Sequence, residues 1–304
     1  MESDLEARMK EKGLAESSIK LYLRNLRKLN GGQPLKNLNF LKNTVAINEQ
    51  LADYKPNTVR NYIISIVSVL GLDKEKRGKK KLYQSYADQL VNQNRTLKAE
   101  EAKGEKTPTQ EANWLTWKEV EEKWEGLKKR IDALPSTLSE SQYNLLLEFM
   151  VLSLYVLLPP RRNDYQNMLI VKDAPADATK NYLELEKNQF VLNKFKTSKR
   201  EGQLVIEIPD KLHEVIDTYL EHHPLLKGKH TLPQPFLVYA DGRPLTAPNA
   251  ITRILNKVFG KSVGSSLLRH IYLGKYADVK EEMKEDAKMM SHSVETQQTT
   301  YVKK

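Results

Sequence analysis

The sequence predicts a mainly α protein with a small antiparallel β-sheet (α+β), divided into an N-terminal helical domain and a larger C-terminal domain. Three observations carry this. Apolar residues recur at helical spacing along most of the chain, as at Ile19, Leu23, Leu26 and then Ile63, Ile66, Leu70. Three short runs between positions 182 and 208 alternate in the manner of strands. Between positions 73 and 114 the composition turns basic and polar, which is that of a linker.

Residues 1–72 read as a bundle of short helices. Ser18-Ile19-Lys20-Leu21-Tyr22-Leu23 and Thr58-Val59-Arg60-Asn61-Tyr62-Ile63 share one order of residue types, and each follows a turn, at Gly13 and at Pro56-Asn57. They are read as two amphipathic helices of one bundle, whose polar faces (Lys20, Arg24, Arg27, Arg60) are either solvated or turned to phosphates. The expected linker, 73–114, begins with the run Lys74-Glu75-Lys76-Arg77-Gly78-Lys79-Lys80-Lys81, can continue as a helix over Leu82–Leu90, and is polar with sparse apolar residues from Lys98 to Ala112. A run of this kind can lie along DNA and release counterions, or serve as a plain tether or nuclear localisation patch.

The second domain, 115–304, opens at Thr116-Trp117-Lys118-Glu119, a capping box that starts a helix. Ser139 to Leu158 predicts a long buried helix, stopped by Pro159-Pro160. It holds the longest apolar run, Leu145 to Leu158, interrupted by Glu148 and too short for the roughly 20 residues of a bilayer span. The three strands are expected at Tyr182–Glu186, Gln189–Phe195 and Leu204–Ile208, with a cationic β-turn, Lys196–Gly202, between the last two. Helices are expected at 210–222, 248–259, 265–276 and 280–290.

The 304 residues hold 49 Lys+Arg against 39 Asp+Glu, a net charge of +10 that favours a polyanionic partner such as double-stranded DNA. With no Cys there are no disulfides, thiolate metal sites or Cys nucleophiles, which fits a reducing compartment, cytoplasm or nucleus. The start, Met1-Glu2-Ser3-Asp4, does not read as a signal peptide. Phosphate-loop and paired metal-ligand spacings are missing, and the six His are scattered.

Cations recur at points of structural punctuation. Arg161-Arg162-Asn163-Asp164 follows the Pro-Pro stop, Lys196-Thr197-Ser198-Lys199 occupies the expected turn, and Arg269-His270 interrupts an apolar helix. Then come His292 and, nine residues on, Tyr301, preceded by Thr299-Thr300. Each has an ordinary alternative: an Arg161–Asp164 ion pair, a solvated turn at Lys196, a snorkelling Arg269, a helix-capping His292.

Taken in order, this set resembles the tyrosine recombinases, or phage-integrase family, whose catalytic fold is shared with type IB topoisomerases. That family's pattern is Arg, Lys in a β-turn, His-x-x-Arg, His and Tyr. Arg161 with Asp164 matches the first box, Lys196 the second, Ser266-Leu267-Leu268-Arg269 the third with Ser266 in place of His, and His292 with Tyr301 the last. Arg162, and Lys194 or Lys199, are alternative registers.

The resemblance covers about 115–304 as the catalytic domain, with 1–72 similar to the family's core-binding domain. It implies that Tyr301 attacks a DNA phosphodiester to give a 3′-phosphotyrosyl bond. Arg161, Arg269 and His292 would stabilise the phosphate, and Lys196 would protonate the leaving 5′ oxygen, with neither metal nor ATP. Ser266 is a poor base, so Asp164, His270 or water would assist. The expected DNA contacts are Lys20, Arg24, Arg60, Lys76, Arg77, Lys79, Lys80 and Lys199. The expected function is a site-specific recombinase acting as a tetramer on paired sites; the alternatives are a type IB topoisomerase-like enzyme and an inactive DNA-binding relative. Relatives continue past the Tyr with a helix that docks on a neighbouring subunit. Here Val302-Lys303-Lys304 follow, so either the chain is shortened or subunit contacts lie elsewhere.

Overall fold

The computed structural model describes residues 1–73, 75, 79–175, 179–227 and 231–301. Two compact units divide the chain, Met1–Lys106 and Thr107–Lys304.

The first unit is helical: α1 Glu2–Glu11, α2 Glu16–Leu29, a 3-10 turn Asn39–Lys42, α3 Thr44–Leu51, α4 Pro56–Leu70 and α5 Lys80–Ala102. The matched segments of α2 and α4 do pack together, through Ile19, Leu23, Leu26, Ile63 and Ile66. Buried among them, Asn25 Nδ2 donates to Ser65 Oγ at 3.0 Å, because a buried amide without a partner is costly. At the edge, Glu2 accepts from Arg27 and from the Leu35 backbone N–H. These bonds hold its carboxyl well below its usual value, at about 2.

The expected linker needs correcting. Its residues 80–102 form α5, which packs on α4, and the first unit runs to Lys106 rather than ending at 72. Leu82, Tyr83, Tyr86 and Leu90 recur at spacings of three and four, so they line one face of a long charged helix. Tyr86, fully buried, donates its hydroxyl to the Leu41 carbonyl at 2.8 Å.

The second unit begins with α6 Pro108–Asn113 and α7 Trp117–Asp132, each opened by a capping box, at Thr107/Gln110 and Thr116/Glu119. Then α8 Glu140–Val156, capped by Ser139 and Gln142, runs through the core, burying Leu146, Met150, Leu154 and Tyr155. Trp124 of α7 stacks on Phe149 with ring centres 5.6 Å apart and donates to Ser153 Oγ at 2.7 Å. Pro159-Pro160 follows the end of α8 as expected, since Pro cannot supply the helical N–H.

The sheet is mixed and five-stranded, not antiparallel and three-stranded: β1 Leu169–Val171, β2 Tyr182–Glu184, β3 Gln189–Leu192, β4 Leu204–Glu207 and β5 Gln234–Pro235, in the order β4-β3-β2-β1-β5. β1 runs parallel to β2 with Leu169 opposite Tyr182; the other pairs are antiparallel. One face (Ile170, Leu183, Phe190, Leu192) joins the main core, and the other buries Val171, Tyr182 and Val191 in a smaller cluster.

The expected β-turn is a longer loop, 193–203, carrying one helical turn, α9 Ser198–Glu201, closed by Gly202 at φ +74°, where a side chain would be strained. The chain continues through α10 Asp210–Glu221, α11 Ala250–Phe259, α12 Ser265–Gly274, α13 Ala277–Met289 and α14 Val294–Thr296, and ends its described course in one wide π-helical turn, Gln297–Tyr301. Trp117 meets Tyr272 of α12 edge-on at 4.9 Å, which ties α7 to α12. Among the described residues no helix is long and apolar enough to cross a membrane.

Candidate anion pocket and the tyrosine tail

The segment between α8 and β1 is held from below. Tyr155, near the end of α8, donates its hydroxyl to the Arg162 carbonyl at 3.3 Å, and its ring meets Tyr165 edge-on at 6.1 Å. Arg161 therefore leaves the Pro-Pro stop in a fixed direction. Its guanidinium pairs with Asp164, Nη2 at 3.1 Å and Nε at 3.2 Å, and lies 5.6 Å from the centre of the Phe195 ring. The ion pair given above as the ordinary alternative is thus present. Its two side chains are mostly shielded, 23% and 11% exposed, which makes it firmer than a surface pair.

Arg269 reaches the same place from α12. Its Nε donates to the Ser265 carbonyl and its Nη2 to Ser266 Oγ, both at 3.4 Å. Ser266 thus accepts a hydrogen bond from Arg269. One residue earlier, Ser265 Oγ donates to Asn163 Oδ1 at 2.8 Å across 102 residues of sequence, and so fastens α12 to the arginine segment.

Together Arg161, Arg162, Asp164, Phe195, Thr197 and Arg269 line an open pocket of about 410 Å³. The carboxylates in its wall are Asp164, bound to Arg161, and Glu201, bound to Arg200. Arg162 and Arg269 have no carboxylate within ion-pair distance among the described residues. Partial burial, and after it the charge of Arg162, lowers the Arg269 pKa from its usual value. Two unmatched guanidiniums facing one cavity favour an anion whose oxygens accept paired hydrogen bonds, such as a phosphate.

The remaining expected residues are placed differently. Lys196 is exposed on the loop after β3, between Phe195 and Thr197, which line the pocket while it does not. Lys199 is exposed on α9, and His270 is exposed on α12 outside the pocket lining. His292 and Tyr301 also lie outside that lining and stack on one another, ring centres 5.0 Å apart and planes 22° from parallel. Tyr301 is 59% exposed.

The tail begins with a tight helix stop. Ser291, at φ +57°, lets the His292 N–H reach the Ala287 carbonyl at 3.0 Å and the Ser291 N–H reach the Lys288 carbonyl at 3.1 Å, a Schellman cap on α13. The cap fixes where His292 leaves the helix. His292 Nδ1 lies 3.1 Å from the Ser293 carbonyl, while Nε2 is shielded and has no hydrogen-bond partner among the described residues.

Of the cations expected to touch DNA from the first unit, Lys20 pairs with Glu16 at 2.6 Å, Lys79 pairs with Asp73 at 2.9 Å and Arg60 donates to Asn94. Arg24 and Lys80 are exposed. Lys76 and Arg77 lie outside the described residues.

Sequence reasoning did not single out Asn163, Asn181 or Ser265. Asn163 and Ser265 are short polar side chains in or near a cationic box, Asn181 lies far from one in sequence, and nothing local distinguishes any of them from a turn residue. No family model, curated protein or solved structure matches this chain.

Proposed function

We propose that this protein is a site-specific DNA recombinase of the integrase type, which cuts and rejoins strands through a 3′-phosphotyrosyl bond on Tyr301. One observation carries the reading: Arg161, Arg162 and Arg269, brought from two distant segments, converge on a single pocket in which two of the three have no carboxylate partner among the described residues. A DNA phosphodiester is a matching anion, and the chain's net charge of +10 suits its polyanionic carrier.

In this reaction the Tyr301 hydroxyl gives its proton to water as its oxygen attacks phosphorus, the P–O bond to the 5′ oxygen breaks, and Lys196, between the pocket-lining Phe195 and Thr197, delivers a proton to that oxygen. Negative charge grows on the non-bridging oxygens, where fixed guanidinium donors are worth about 3–4 kcal/mol each. His292 accompanies the tyrosine and adds a donor. The phosphotyrosyl bond conserves the energy of the broken linkage, so a 5′ hydroxyl from another strand reverses the step. The enzyme acts as a tetramer on paired sites. The tail carries Tyr301 to the pocket when DNA is bound.

Because Tyr301 stands outside the pocket lining, a second reading is a DNA-binding relative whose pocket holds phosphate without cleaving. The two separate on one gel. A suicide duplex containing the target site, incubated with the protein and denatured, yields a covalent adduct that Tyr301→Phe abolishes. No adduct from the intact protein leaves the second reading, and an adduct with Tyr301→Phe removes Tyr301 as nucleophile. Relaxation of a plasmid lacking the site would instead indicate topoisomerase action.

A further inference from the structure

One buried amide joins the arginine segment to the lysine loop. Asn181, just before β2, is 7% exposed. Its Nδ2 donates to the Asp164 carbonyl at 2.9 Å and to the Lys194 carbonyl at 3.0 Å. Its Oδ1 accepts from the Asn193 N–H at 2.9 Å and the Lys194 N–H at 2.7 Å. An amide side chain offers two donors and two lone pairs, and all four are used. The Asn181 carbonyl meanwhile accepts from the Leu169 N–H at 3.0 Å, which seats the amide at the start of β1 and β2.

The bonds fall at telling places. Asp164 is the ion-pair partner of Arg161, and Lys194 lies two residues before Lys196. Asn193 extends the clamp: its Nδ2 donates to the Lys180 carbonyl at 2.9 Å, and its Oδ1 accepts from Gln203 Nε2 at 2.8 Å, closing the mouth of loop 193–203. Lys196 itself is exposed and has no described partner, so its ammonium is only as well placed as the loop that bears it.

We propose that Asn181 is a positioning residue, which sets Lys196 against the arginine pocket and thereby governs proton delivery to the leaving oxygen. The assignment rests on the strand-transfer reading. Asn is required because the site asks for two donors as well as two acceptors; an Asp of the same shape would face two carbonyls with none. The role differs from that of Ser265, which fixes Arg269 and not the lysine.

The experiment compares two suicide duplexes that differ in one atom, the bridging 5′ oxygen or a sulfur in its place. When sulfur leaves, the Tyr301 O–P bond forms, the P–S bond breaks and the electron pair departs on a thiolate, which needs no proton in order to leave because a thiol is far more acidic than an alcohol. A variant that has lost proton delivery is therefore slow on oxygen alone. Lys196→Ala should slow adduct formation on oxygen by about 100-fold and on sulfur by less than about threefold. Asn181→Asp should follow the same pattern with about a tenfold loss on oxygen, and Asn193→Ala should show it more weakly. Arg269→Ala should slow both duplexes alike. Equal slowing of both duplexes by Asn181→Asp, or of neither, overturns the proposal. If Asn181→Asp does not fold, Asn193→Ala decides by the same criterion. Absence of any adduct from the unaltered protein overturns the strand-transfer reading itself, and this inference with it.

Discussion

Asn181 and Ser265 hold the arginine pocket through bonds that cross between separate segments, while every described hydrogen bond of the tail from Ser291 to Tyr301 reaches no further than α13. Arg161 and Arg269 are held by protein bonds before any ligand arrives. In the proposed reaction the nucleophile, Tyr301, would be carried on a segment whose described hydrogen bonds stay within itself and α13. For phosphoryl transfer this division is sensible: fixed charges stabilise a transition state without reorganising, whereas the attacking group must enter and leave.

The contrast can be broken experimentally, in order of expected effect. Arg269→Ala, which removes a donor from the pocket, should lower the rate of adduct formation by about 10²–10³-fold, measured in single turnover. A smaller loss would mean that Arg162 supplies the charge. Asp164→Asn leaves Arg161 without its shielded partner. It should lower stability by about 2 kcal/mol, read as a lower melting temperature of the second unit. An unchanged melting curve would show that the pair contributes nothing to the fold. Ser265→Ala removes the Asn163 bond and should lower stability by about 1 kcal/mol. Ser293→Ala removes the side-chain cap of α14, which accepts from the Thr296 N–H at 3.1 Å. It should move the melting temperature by less than the equivalent of about 0.5 kcal/mol, because that helix is exposed and tail loosening need not spread. A large shift there would show the tail to be part of the folded core, and would end the contrast.

Much of the helical fold is written locally. The Thr116/Glu119 box and the Pro159-Pro160 stop mark helix ends by chemistry acting within a few residues, and so were legible. Helix α5 was legible only at Leu82–Leu90, because its single apolar face is thin and its meaning depends on α4 being there to pack against it. Strand β1 was missed for a similar reason: three residues, Leu169–Val171, become a strand only through partners at 182–184 and 234–235. At the site, Arg161 was visible because it follows the Pro-Pro stop, and Arg269 because charge is conspicuous inside an apolar helix. Asn181 is a neutral amide whose value lies in four bonds to backbone groups that the sequence does not place in space. Arg162, noted as an alternative register for Arg161, proves to face the pocket beside it, and only geometry could show that both belong.

The three tryptophans, Trp114, Trp117 and Trp124, all fall in the second unit, two of them against α8 and α12. Selective excitation of indole emission during denaturation therefore follows that unit alone, while far-ultraviolet circular dichroism follows the helices of both. The molecule thus carries a built-in optical reporter, able to separate the melting of the half that bears the pocket from that of the half that does not, with no label attached.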